Sequence, residues 1–153
     1  MNIFVLDEDI EKSAQYHCDR HVNKMILEGT QMLCTVLQQT GKEAPYKATH
    51  EKHPCTIWTG ESLSNWKWLR DFIIALNLEK KFRYGGLHKS AVVAVMLEEP
   101  NIKDVGLTPF AQAMTSSYKN KDAVKAYRMY YRCEKKHFAT WKNRPIPYWM
   151  LNN

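Results

Sequence analysis

The run His17-Cys18-Asp19-Arg20-His21-Val22-Asn23-Lys24-Met25-Ile26-Leu27-Glu28-Gly29 concentrates imidazole, amine and carboxylate groups at helical spacing. Wound as a helix, it aligns His17, His21, Lys24 and Glu28 in one stripe, at steps of four, three and four residues, and Gln31 and Thr35 continue it. Val22, Met25, Ile26, Met32, Leu33 and Val36 form the neighbouring face, with the spacing of a core-facing helix. A titratable row bordering a core face is placed to line a cleft and move protons there. The plainer alternative is that Lys24 and Glu28 form an ordinary i, i+4 surface pair, worth a few tenths of a kcal/mol.

Three further groups of residues invite chemistry. Glu134 falls among Tyr130, Tyr131, Phe138 and Trp141, where a carboxylate needs a cation or several donors. It either forms a structural ion pair or orients a histidine or arginine of the cleft. Arg83, Tyr84, His88 and Lys89 surround Gly85-Gly86, where backbone N–H groups and two cations would hold an anion, unless the glycines are simple capping. His50 and His53, with the His17/His21 pair, have spacings compatible with a divalent ion. Without HExxH or a dedicated carboxylate, no metal and no cofactor are expected, and a metal-dependent hydrolase stands third among the functions. GxSxG is absent, and Cys18, Cys34 and Cys133 fall on expected helices, where buried thiols are commonly inert.

The elements that must position these groups are helical. Short helices are expected over 9–17 and 88–98, and long ones over about 18–39, 55–84 and 121–141, with a possible turn around Pro109 to Met114. Residues 2–6 form a short apolar segment, and 42–53 a loop of the length that often carries function. Met25, Met32, Val36, Trp66, Ile73 and Phe138 are the expected core. With 153 residues, 44% of them hydrophobic, this amounts to a single compact all-α domain, residues 1–153.

Charge points to a partner. The net charge is +6, and between Lys119 and Arg144 nine Lys or Arg residues face only Asp122 and Glu134. On a helix Lys125, Arg128, Arg132, Lys135 and Lys136 gather on one side and Val124, Tyr127, Tyr131, Phe138 and Trp141 on the other. A basic face of this kind is the usual footprint for phosphate, or else a solvated surface. The four cysteines lack CxxC spacing, the N-terminus lacks a secretory pattern and no apolar run spans a membrane, so a cytoplasmic protein without a membrane partner is expected.

Asp19-Arg20-His21-Val22, followed by Glu28, resembles the active-site helix of the phage pyrimidine-dimer DNA glycosylase/AP lyase family, the endonuclease V type. His53-Pro54-Cys55-Thr56-Ile57-Trp58 resembles that family's His-x-x-Thr-aromatic entry to its second helix, and Tyr148-Trp149 its aromatic tail. The whole chain is also similar to uncharacterised phage proteins labelled as such glycosylases, which would put it in a host cytoplasm. The resemblance implies a small all-α fold, no metal, and attack of an α-amine on C1′ of a damaged pyrimidine nucleotide to give an imine. The glutamate, here Glu28, supports ring opening and proton transfer. An α-amine in a flexible peptide ionises near pH 8, roughly, so part of it is nucleophilic at neutrality. Two positions depart from the family: Asn2 stands where a small residue is exposed by loss of the initiator methionine, and Leu27 replaces an arginine before the glutamate. Either the Met1 amine or Lys24 would then be the nucleophile, with His21 assisting, or the lyase step is lacking.

The leading expectation is therefore a base-excision repair enzyme acting on damaged or modified pyrimidine sites in DNA. His17, Arg83, Tyr84, His88, Lys89, Tyr127, Tyr131, Glu134, Lys125, Arg128, Arg132 and Lys135 would contact substrate or phosphate. The alternative is a protein that binds a nucleotide or nucleotide derivative without turnover.

Overall fold

A computed structural model describes residues 1–151, and every regular element in it is helical. The elements are α1 (Ile10–Tyr16), α2 (Asp19–Gln39), α3 (Pro54–Glu61), α4 (Leu63–Tyr84), α5 (Lys89–Met96) and α6 (Ala123–Tyr130). A π-helical turn (Tyr131–Lys135) follows α6 directly, and a 3₁₀ turn (Tyr148–Met150) lies near the end. α2 and α4 are the principal packed pair; α1 lies on α4, while α3 and α5 each touch both.

Side chains set the helix limits. Asp9, Asp122 and the imidazoles of His53 and His88 accept the first free N–H groups of α1, α6, α3 and α5. Gly85, at φ 78°, takes the left-handed conformation that stops α4. The helix expected over 55–84 is broken at Ser62. That residue is extended, its hydroxyl donates to Asp104 and accepts from Val105 N–H, and Leu63 N–H donates to the Lys103 carbonyl. The 101–108 loop thus takes over the backbone bonds a continuous helix would have made.

The helix expected over 121–141 also ends early. The α geometry stops at Tyr130, the π turn adds a residue to the winding, and residues beyond Lys135 form turns and loop. The stretch around Pro109 to Met114 has no helical turn.

Met25, Met32, Val36, Trp66 and Ile73 are buried as expected, and Phe138 packs half-buried against the same cluster. The segment Asn2–Leu6 is buried as well, although it belongs to no strand. It runs through the molecule as a strap. Asn2 Oδ1 accepts from the N–H groups of Ile3 and Phe4 (2.8 and 3.3 Å), and Asn2 Nδ2 donates to the Ala113 carbonyl (2.9 Å). Leu6 N–H donates to the Ser13 hydroxyl and the Leu6 carbonyl accepts from Arg128 Nε. Phe4 sits at φ 56°, a conformation that is costly for a bulky side chain unless its surroundings impose it.

Candidate active site at the N-terminal amine

The strap ends beside α2. The α-amine of Met1 lies 3.4 Å from Glu28 Oε1. The Met1 side chain is 2% exposed, yet the residue as a whole is only partly buried, so the surface it retains belongs to main-chain atoms. Glu28 is 14% exposed, and its second oxygen, Oε2, is buried without a hydrogen-bond partner. A buried carboxylate oxygen lacking a donor is uncommon and marks a place where a ligand or proton would be welcome.

Two residues from the start of α3 complete the surroundings. His53 Nδ1 accepts from Cys55 N–H (3.0 Å), and the ring also faces the Met1 backbone. Burial, and next the nearby α-amine charge, hold the His53 imidazole below its ordinary range, so it stays neutral at neutral pH. Thr56 Oγ1 is 3.9 Å from the Met1 sulfur. Amine, carboxylate and imidazole thus converge from the strap, α2 and α3.

The expected stripe divides. His17 is not on α2: it caps the C-terminus of α1, and the chain is extended through His17 and Cys18 before α2 begins. It is wholly buried, its Nδ1 lies 2.6 Å from the Ser13 carbonyl, and the Ile3 carbonyl is 3.3 Å from Nε2. His21 is buried too, stacked on Phe4 with ring centroids 4.4 Å apart and sharing a 2.6 Å hydrogen bond with the Tyr131 hydroxyl. Burial pushes His17 down to about 4 and His21 to about 2. Both are neutral supports of the strap that carries Met1. Lys24 is exposed at the surface, and Glu28 alone of the stripe meets the amine.

Within the Arg83–Lys89 segment, Arg83 lies at the opposite end of α2 from Glu28, while the start of α5 reaches the middle of α2, where the Ser90 carbonyl accepts from the Thr30 hydroxyl (3.1 Å). Arg83 pairs with Asp19 (3.0 Å) and Glu79 (2.7 Å) and donates to the Gln15 carbonyl, and its side chain is 0% exposed. Asp19 and Glu28 are nine residues apart, about 14 Å along a helix. Arg83 therefore holds α1, α2 and α4 together, its charge met by these two carboxylates rather than by a substrate anion. Tyr84 and Lys89 are exposed, and His88 caps α5 by accepting from Ser90 N–H.

Tyr127 and Tyr131 are buried. The Tyr127 hydroxyl donates to the Ala111 carbonyl, and that of Tyr131 accepts from Cys18 N–H. Neither ring can stack on a base. Glu134 does not reach the cleft histidines: it is exposed and accepts from the Tyr118 hydroxyl.

The basic face also splits at the π turn. Arg128 turns inward to Asp7 (3.0 Å) and the Leu6 carbonyl, while Lys125 is exposed. Lys135 Nζ lies over the Tyr130 and Phe4 rings, at 5.0 and 5.8 Å. Arg132 stays with Arg128 beside Trp149. Among the described residues no cluster of three His, Cys, Asp or Glu side chains could hold a metal ion, and no helix is long and apolar enough to cross a membrane.

Comparison of the chain with protein-family models, curated proteins and solved structures gives no match.

Proposed function

We propose that the protein is an imine-forming DNA repair enzyme of the pyrimidine-dimer glycosylase/AP lyase type, acting at damaged or modified pyrimidine sites. One observation carries this reading: the Met1 amine and the Glu28 carboxylate stand 3.4 Å apart, with the second Glu28 oxygen buried and unpartnered. A structural ion pair gains by satisfying both oxygens; a catalytic carboxylate benefits from keeping one for a substrate proton.

In the proposed reaction the ammonium gives a proton to Glu28, and the freed nitrogen lone pair attacks C1′. The glycosidic C1′–N bond breaks, its electrons leave with the base, and the base takes up the proton that the newly attached nitrogen sheds. Glu28 returns its proton to the sugar-ring oxygen as the ring opens, leaving C1′ and the Met1 nitrogen joined as an iminium. Glu28, again a carboxylate, then takes a proton from C2′, and the electron pair expels the 3′ phosphate. Hydrolysis of the imine restores the amine. His53 holds Met1 in register, and the His17, His21 and Phe4 packing fixes the strap behind it.

Lys24 is the second amine in the sequence stripe, but it is exposed and, among the described residues, forms no ion pair with Glu28. Met1 is therefore the proposed nucleophile. Incubation with a duplex containing one abasic site tests the reading. Strand scission by β-elimination in the native protein, abolished in Glu28→Gln, supports it. Tight binding of a nucleotide without scission would favour the non-catalytic alternative.

A further inference from the structure

The helix α5 shows its large side chains to solvent and its small ones to the core. Ser90, Ala91 and Ala94 are buried, while Val92, Val95 and Met96 are exposed, Met96 by 79%. A helix lying on a core normally does the reverse, because the largest apolar side chains lose most by staying in water. Polar bonds on the inner side fix this orientation. The Ser90 carbonyl accepts from the Thr30 hydroxyl, the Ser90 hydroxyl shares a hydrogen bond with that of Tyr46 (2.9 Å), and His88 N–H donates to Asn77 Oδ1 (2.8 Å). Leu87, just ahead of the helix, is exposed as well. A continuous apolar face of this kind marks a site where another protein surface packs.

The charges at its two ends say which surface. Lys89 shares the side of the helix that carries Val92 and Met96, at steps of three and four residues, and it is exposed. Among the described residues it forms no ion pair. Glu98, at the other end of the face, has a side chain 83% exposed and meets only Lys42, at 3.7 Å. One end of the face is basic and the other acidic, which is complementary to the same face turned end for end. Val92 stands three residues after Lys89, and Val95 three residues before Glu98. A single two-fold axis therefore sets Lys89 of each copy against Glu98 of the other and Val92 against Val95. It also lays the positive end of each helix dipole beside the negative end of the other.

We propose that α5 is the contact of a two-fold symmetric, antiparallel pair of copies of this chain. Leu87 of each copy then falls at the C-terminal end of the other copy's α5, where Pro45, Val93, Met96 and Leu97 line a groove of about 550 Å³. Apolar side chains at the centre with charges of both signs at the ends suit a second copy, not a phosphate backbone. The face is small, so a transient dimer with a dissociation constant of roughly 1–100 µM is expected. The pairing does not depend on imine formation at Met1, and its test uses no DNA.

Sedimentation velocity of the native protein across roughly 1 µM to 1 mM should show monomer giving way to dimer. Val92→Lys/Met96→Lys, two exposed positions, should stay monomeric with an unchanged melting curve. Lys89→Glu alone and Glu98→Lys alone each bring like charges together twice and should weaken the dimer by about tenfold or more. Mixing these two single variants restores opposite charges at both contacts, so a heterodimer of native affinity should form. A native protein that is monomeric at every concentration overturns the proposal and leaves the face to an unlike partner. A dimer that survives Val92→Lys/Met96→Lys, or single variants that fail to pair on mixing, also overturns it.

Discussion

At the residue scale, the account turns on Glu28. Glu28→Gln keeps the shape of the side chain and removes its capacity to move a proton. It should lower turnover by about 10²- to 10⁴-fold, the range for a lost acid–base group, with little change in thermal stability. Steady-state rates and a melting curve on the same preparation check this, and full activity would remove Glu28 from the mechanism. The buried histidines make a different prediction. Burial holds His17 at about 4 and His21 at about 2, below the ordinary 6.5, so below pH 6.5 the unfolded chain binds protons that the folded one refuses. Their contribution is full above that value and is lost as pH falls, by up to about 1.4 kcal/mol per pH unit for each proton. The thermal midpoint should drop between pH 7 and pH 5, and a flat or rising midpoint would contradict burial of these rings. Of the site, the sequence made Glu28 legible because helical spacing and the resemblance both single it out. His17 and His21 share that spacing but serve the core, because the chain leaves helical geometry at His17 and Cys18 and the apolar strap covers both rings. The role of Met1 was readable only as a chemical possibility. Its meeting with Glu28 depends on a strap that has no periodicity to announce it.

At the element scale, α2 against α4 sets the position of Glu28, and at Gly29 side chains of α4 pack directly against the α2 backbone. A Cβ added at Gly29 would stand 2.9 Å from both Cγ1 and Cδ1 of buried Ile73. Overpacking of this kind costs about 1–3 kcal/mol, against about 1 kcal/mol gained in helix propensity. Gly29→Ala should therefore lose about 1 kcal/mol net and melt a few degrees lower. Gly60 in α3 is the contrast: its added Cβ meets only Val36 methyls, at 3.5 and 3.8 Å. Gly60→Ala should be neutral or stabilising by up to about 1 kcal/mol, and denaturant unfolding of the two variants decides between these signs. The long helices were legible from periodicity, and Met25, Met32 and Ile73 are buried where their spacing puts them. The break at Ser62 was not, because its cause is a loop some forty residues onward whose Asp104 and Lys103 take up the hydrogen bonds. The π turn was equally hidden. It moves Lys135 out of line with Lys125 and Arg132 and onto the Phe4 and Tyr130 rings.

At the scale of the whole molecule, the basic surplus should govern association with DNA. Each phosphate neutralised contributes about −0.9 to the slope of log affinity against log salt. Replacing Lys24, exposed one turn from Glu28 on α2, and Lys135 by Ala should flatten that slope by about two. It should also weaken binding alike for every sequence, since such contacts position the protein without reading bases. Fluorescence anisotropy across a salt series measures it, and an unchanged slope would remove these lysines from the interface. The surplus was legible in the composition, whereas its division between an inward Arg128, an exposed Lys125 and a Lys135 lying over Phe4 required the fold. The central claim is covalent and is tested most directly by trapping. Borohydride added to the protein with an abasic-site duplex should reduce the imine to a stable amine, and peptide mapping should find the sugar on the α-nitrogen of Met1. One residue added ahead of Met1 should abolish the adduct, since the amine is then displaced from Glu28. An adduct on Lys24 or another lysine, or no adduct while strand scission proceeds, would contradict the account.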